Sequence, residues 1–181
     1  FYQPDSGQID YQGKPLGDWT LRDLRESQSW VPQKAVLVSG TVRENLLWGG
    51  ATEELRESLT DDKLWHALEA AQADDFVRNM EAGLDAVVES EGLNFSGGQR
   101  QRLTIARALL RKMDLWLLDD ISSALDYRTD ARMRKAMEPY LADSAVIRVS
   151  QRVYQIKNAD HIMVLDNGRM SAYGTHQELL R

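Results

Sequence analysis

Residues Leu115 to Leu118 read LWLL, an unbroken apolar run that ends on Asp119-Asp120. So short a run, with no polar alternation, predicts a strand buried on both faces, as in a parallel sheet. SAVIRVS (144–150) predicts a second buried strand, and residues 126–142 between them carry helical spacing. Strands that alternate with helices predict an α/β fold with a core sheet.

The remaining segments add detail. PDSGQIDYQGKPL reads as turn, short strand, turn. TLRDLRESQ is a short helix with Thr20 and Asp23 placed as a cap pair, and SWVPQ is a strand stopped at Pro32. Residues 35–50 read as loop, closing on Gly49-Gly50. From Thr52 the apolar spacing turns helical through Met80, and Gly83 ends the run. VVESEGLN reads as a polar loop, and a further helix follows Ser96. Near the end, HIMVLDNGRMSAYG is a hairpin about Asp166-Asn167-Gly168, and Thr175 with Glu178 forms a capping box. One domain spanning 1–181 is expected, with a helical lobe of about 52–112 set into a core of 1–51 and 113–181.

Several functional classes are disfavoured. Net charge is −6, so a nucleic-acid backbone is not an expected partner. There is no cysteine, hence no disulfide framework and no thiolate metal site. No apolar run approaches the ~20 residues that span a bilayer. Any membrane link is expected to come from a partner or from sequence outside this chain. The opening Phe1-Tyr2, without methionine, and the close of the chain one turn into a helix suggest a fragment.

The stretch FSGGQRQRLTIARALL holds the first candidate site. Ser96 and Gln99 are spaced as a capping box. Gly97 and Gly98 lack Cβ, so a ligand can touch the backbone there, and the amides and dipole of a helix start favour an anion. Capping alone accounts for Ser96 and Gln99, but it gives no reason for two glycines that cost about 1 kcal/mol each against alanine in a helix. The second candidate is Asp119, a carboxylate at the C-terminal end of a strand, where α/β sheets bind ligands. The phosphate-cradling loop G-x-x-x-x-G-K-[ST] is absent: Gly13-Lys14 runs into Pro15 and lacks the upstream glycine.

Taken together these segments resemble the ATP-binding domain of ABC transporters, specifically exporters. FSGGQRQRLTIARALL is similar to the family's signature motif and helix, LWLLDD to its Walker B strand, and SALD (Ser123, Ala124, Leu125, Asp126) to its D-loop. VPQ, ending at Gln33, resembles the Q-loop, ESEGLN the exporter-type loop before the signature, and VLVSGTVRENL the stretch beside the membrane domain's coupling helices. In the family the P-loop precedes a segment like FYQPDSG. The resemblance therefore implies a P-loop NTPase-like core sheet with an inserted helical subdomain, and a P-loop strand that lies before Phe1. Without it the sheet is expected to lack a central strand and to expose apolar edges, and the fragment to bind ATP poorly.

The family's chemistry implies ATP and Mg²⁺ as ligands, with Asp119 and Gln33 on the metal. Ser96, Gly97, Gly98 and Gln99 would grip the γ-phosphate of ATP held by a second ATP-binding domain, with the D-loop beside it. A transmembrane domain, on the same polypeptide upstream, is the other implied partner. That places the chain at the cytoplasmic face of the plasma (inner) membrane.

Two positions depart from the pattern. Asp120 stands where the catalytic glutamate is expected, one methylene short, and Gln151 stands where the switch histidine is expected. Glutamine cannot carry a proton or a positive charge. Both departures fall on the chain's own site, while the signature differs only by Phe95 for the usual leucine. This resembles the degenerate half of a heterodimeric multidrug-type exporter. The alternative is a regulatory module that binds nucleotide without hydrolysing it. A non-transport ABC ATPase is disfavoured by SGTVRENL. Of the remaining residues, Met133, Met137 and Trp116 are expected in the core, the charges of RTDARMRK on a solvated face, Trp48 as a candidate interface anchor, and the three histidines as structural or surface residues.

Overall fold

A computed structural model describes residues 4–49 and 53–181. Phe1-Tyr2, Gly50 and the helix start expected at Thr52 lie outside the described residues. The segment before the first helix forms a small hairpin, β1 (Asp10–Tyr11) and β2 (Lys14–Pro15). Helix α1 (Leu21–Ser27) begins where Thr20 accepts the amide of Asp23, and it leads directly into β3 (Gln28–Val31).

The stretch 35–50 is not all loop. A strand pair member, β4 (Gly40–Thr41), precedes helix α2 (Val42–Leu47). Thr41 and Glu44 form a capping box, and Val42, Asn45 and Leu46 are buried. The signal was present as T-x-x-E before an apolar pair. The helix is only six residues long between glycines, which made it resemble a loop.

Helices α3 (Glu53–Ser58), α4 (Asp61–Ala70) and α5 (Asp74–Arg78) follow. The polar segment after them contains β5 (Val87–Val88), paired with β4, and a single turn at Ser90–Gly92. Helix α6 (Gly97–Leu109) is the longest of this half, and Leu103, Ile105 and Ala106 on it are buried. Its Gln101 side chain donates to the Pro32 carbonyl at 3.1 Å, which fastens α6 beside the end of β3.

The second half supplies β6 (Leu115–Asp119), α7 (Tyr127–Leu141), β7 (Ala145–Val149) and the short α8 (Val153–Ile156). The hairpin β8 (Ile162–Asp166) and β9 (Arg169–Gly174) turns at Asn167-Gly168, both at positive φ, as a two-residue turn of this kind requires. Thr175 and Glu178 cap α9 (His176–Leu179) as expected.

Strands β3, β6 and β7 form one parallel sheet in that order. The register aligns Trp30, Leu117 and Ile147 on one face and Ser29, Trp116 and Val146 on the other. Trp116 is fully buried with Val31 and Leu118, and Met133 and Met137 of α7 join the same core. Burying side chains of this size stabilises by about 1.5–3 kcal/mol each.

The expectation of strands buried on both faces is corrected. In β6 buried and half-buried residues alternate, and β7 is largely exposed, with Ile147 and Val149 each 55% accessible and Trp30 of β3 60%. Among the described residues the face carrying Ser29 and Trp116 is the covered one, and β7's outer edge pairs with no strand. The apolar composition of these strands therefore exceeds what the described residues bury. No helix is long and apolar enough to cross a membrane among the described residues.

Candidate functional site

Three sequence-derived positions gather at the C-terminal edge of the sheet. Gln33 lies two residues past β3, Asp119 ends β6, and Gln151 lies two residues past β7. Register sets this edge: Val31 pairs with Leu118, and Asp119 with Val149. Asp120 then donates its amide to the Val149 carbonyl at 2.9 Å and turns the chain through a left-handed backbone, φ +42°. Aspartate visits that region more readily than most residues. The Gln33 side-chain amide donates to the Asp120 carboxylate at 3.1 Å, a contact between residues 87 positions apart. Beside them an open cavity of about 360 Å³ is lined by Trp30, Leu117, Asp119, Ile147 and Val149. Gln151 is exposed.

The second cluster is the tip of α6. Ser96 Oγ accepts the Gln99 amide at 3.2 Å, and the Gln99 side-chain oxygen accepts the Ser96 amide at 2.8 Å. The capping box thus uses the amides of Ser96 and Gln99. Those of Gly97 and Gly98 lie in the first turn, where a helix supplies no partner. A Cβ on Gly97 would meet nothing within 4 Å. Gly98 differs: a Cβ there would stand 3.0 Å from the Ala124 carbonyl oxygen and 3.4 Å from Leu125. A side chain at Gly98 would thus crowd the chain's own 123–126 loop, which gives glycine a packing reason there beside the clearance expected for a ligand.

Packing behind the tip fixes its direction. Arg102 donates to the carbonyls of Gly98, at 3.3 Å, and Gln72, and its guanidinium lies 4.9 Å from the Phe76 ring centre. Burial pushes its pKa down. Phe76 meets Phe95 edge-on at 6.0 Å. Phe95 is 5% exposed, so a large apolar side chain just before the tip is required by this contact. At the far end of α6, burial pushes Arg107 down to about 10. It donates to the Asn45 and Val36 carbonyls at 2.6 and 3.0 Å and lies 5.0 Å from the half-exposed Trp48 ring.

The 123–126 loop joins the two clusters. Ser123 Oγ donates to the Asp120 carbonyl at 3.0 Å, Ala124 is exposed, and Leu125 is buried. Asp126 caps α7, accepting the Thr129 hydroxyl at 2.7 Å and the Thr129 amide at 3.0 Å, and these bonds hold its carboxyl below the usual carboxylate range. Of the histidines, His66 is exposed on α4, His161 stacks on Tyr173 at 5.3 Å, and His176 opens α9.

Two features escaped the sequence. Within RTDARMRK, Arg128, Arg132 and Lys135 are exposed as expected, but Asp130 is fully buried. Arg152, beside Gln151, donates to the carbonyls of Ser122 and Ser123 at 3.3 and 3.4 Å. Helical spacing places Asp130 on the side of Met133 and Met137, three and seven residues on, and that was the available signal.

The donors at the strand edge are hard oxygens, one carboxylate from Asp119 and an amide oxygen from Gln33. Among the described residues no cluster of three or more His, Asp or Glu could hold a metal by itself. Mg²⁺ is commonly held by one or two carboxylates together with substrate phosphates, so the residues fit that ion.

The family model described as ABC transporter matches residues 1–123. The ABC transporter ATP-binding protein YfiB of Bacillus subtilis is 40% identical over 179 residues, which is 99% of this chain and 30% of that protein. The ATP-dependent lipid A-core flippase of Cupriavidus pinatubonensis is 37% identical over 180 residues, with the same coverage of 99% and 30%. A solved bacterial Atm1-family ABC exporter with ATP bound superposes with a TM-score of 0.88 at 31% identity, over 99% of this chain and 30% of that one. The chain thus spans about a third of the length of these relatives. With an ABC ATPase fold, a glycine-opened capped helix and an aspartate-ended strand in the family's order, the chain belongs to the ABC transporter family.

Proposed function

We propose that the chain is the ATP-binding and hydrolysing motor domain of an ABC exporter, with a weakened site of its own and an intact signature for its partner's. The observation that carries this reading is the tip of α6: two amides without helical partners, an exposed Ser96, and open space around Gly97. An anion fits there, and in the head-to-tail arrangement it is the γ-phosphate of ATP bound to a second ATP-binding domain. Donors set in place before the reaction stabilise charge without reorganising. The D-loop, Ser123 to Asp126, lies beside that tip through the Gly98 contact. The division into a helical lobe of about 52–112 and a core of 1–51 and 113–181 belongs to the same reading.

At the strand edge, Asp119 and Gln33 would hold Mg²⁺, which supplies charge neutralisation for the transferring phosphoryl group. Asp120 occupies the position that orients the attacking water, and its carboxylate already accepts the Gln33 amide. Gln151 can donate to a phosphate oxygen but cannot carry a proton. Both features support weak hydrolysis at the chain's own site and a heterodimer in which the partner's site turns over. The neighbouring membrane domain would be contacted through 36–48, where Val36 and Trp48 are about half exposed, at the cytoplasmic face of the plasma membrane.

Two measurements test this. Steady-state ATP turnover of the full-length protein alone, then with its partner, should rise only in the mixture; full activity alone favours a homodimer instead. In the mixture Asp120→Asn should lower turnover by no more than about threefold, because the hydrolysing site lies elsewhere. A loss on the ~100-fold scale of a misplaced catalytic group would show that Asp120 serves the working site.

A further inference from the structure

A buried polar network lies behind the strand edge. Asp130 on α7 accepts the Ser122 hydroxyl, the Gln155 side-chain amide at 3.4 Å and Arg134 at 3.3 Å. Ser122, Asp130 and Gln155 are 2%, 0% and 7% exposed. Gln155 in turn accepts the Ser150 hydroxyl at 2.6 Å, and Ser150 Oγ accepts the Arg152 amide at 3.0 Å. One side-chain route therefore runs from the loop carrying Gln151, through Gln155 and Asp130, to Ser122. A second is direct: the Arg152 guanidinium reaches the Ser122 and Ser123 carbonyls. Both routes start on residues flanking Gln151 and end where the 123–126 loop begins. That loop continues to Ala124, whose carbonyl limits the Gly98 position on α6.

We propose that Arg152, backed by the Asp130 network, is a positioning residue that clasps the loop of Gln151 to the D-loop. Through Ala124 and Gly98 the clasp fixes the tip of α6 that the chain offers to its partner's site. This rests on the functional reading above. A buried network with its donors and acceptors satisfied is stiff, which is what a mechanical link needs. Arg152 touches no reacting atom in this scheme; it acts through the D-loop.

The test uses the full-length protein with its partner. Arg152→Ala should lower kcat for ATP about tenfold or more, as misplacement of a site by a fraction of an ångström can. The KM for ATP should stay within about twofold and the melting temperature within about 2 °C, since the side chain is only partly buried. Arg152→Lys, which keeps a donor, should recover part of the loss. An unchanged kcat, or a kcat that falls only together with the melting temperature, overturns the clasp. Ser96→Arg, measured in parallel, separates the two levels. If it abolishes turnover while Arg152→Ala does not, the clasp is wrong and the motor reading stands. If Ser96→Arg leaves turnover intact, the motor reading itself fails and the clasp with it.

Discussion

Ser96→Arg, introduced into the full-length protein and assayed with its partner for phosphate release, is expected to lower ATP turnover by about 100- to 1,000-fold. That is the scale on which loss of one preorganised anion donor is felt. Two losses combine. The Ser96 hydroxyl that accepts the Gln99 amide disappears, which by itself costs about 1 kcal/mol of helix stability. The larger effect expected is steric, because an arginine side chain would enter the open space around Gly97 where, in the proposed reading, the phosphate approaches. Ser96→Thr keeps the capping oxygen and is the control, expected within about tenfold of wild type. Because Ser96 is exposed, neither variant disturbs the core. Turnover of Ser96→Arg within threefold of wild type would leave α6 as an ordinary capped helix.

The largest stability effect is expected at Trp116. It is the bulkiest fully buried side chain, sits on the central strand β6, and belongs to the same core as Met133 and Met137 of α7. Trp116→Ala should cost about 3–5 kcal/mol, a large share of a typical domain's stability. For a domain of this size that corresponds to a drop of roughly 10 °C in melting temperature. Trp116→Phe is expected to cost far less. Its indole N–H is buried without a hydrogen-bond acceptor, so phenylalanine removes an unsatisfied donor while leaving a smaller cavity. Thermal unfolding of the full-length protein followed at this domain distinguishes the two variants. Equal melting temperatures for Trp116→Ala and wild type would mean that this core does not hold the sheet together.

Local chemistry made most elements legible. The caps at Thr20, Ser96 and Thr175, the turn at Asn167-Gly168 and the helix after Asp126 all follow from residues within four positions of each other. Helix α2 is hidden in the sequence because its six residues carry a cap but too few turns to show a period. Burial was harder to read. LWLL and AVIRV are apolar enough for two covered faces, yet the described residues cover one, because composition records what a strand tolerates and not which neighbours are present.

The site divides the same way. The order of Gln33, Ser96, Asp119, Asp120 and Gln151 along the chain could be read off, but the Gln33–Asp120 hydrogen bond depends on parallel register across β3 and β6. At Gly98 the sequence shows a missing side chain but not its neighbour, the Ala124 carbonyl, which stands 3.0 Å from where a Cβ would be. Asp130 reads as solvated among arginines, and only its long-range partners, Ser122 and Gln155, reveal a carboxylate fully enclosed.

The most direct test of the central claim is a structure of the full-length protein with its partner, trapped with Mg²⁺ and ATP in the closed state. The γ-phosphate held by the partner should lie within hydrogen-bond distance, about 3 Å, of Ser96 Oγ or the amides of Gly97 and Gly98. A closed, nucleotide-loaded assembly with the tip of α6 more than about twice that distance from any phosphate oxygen would contradict it.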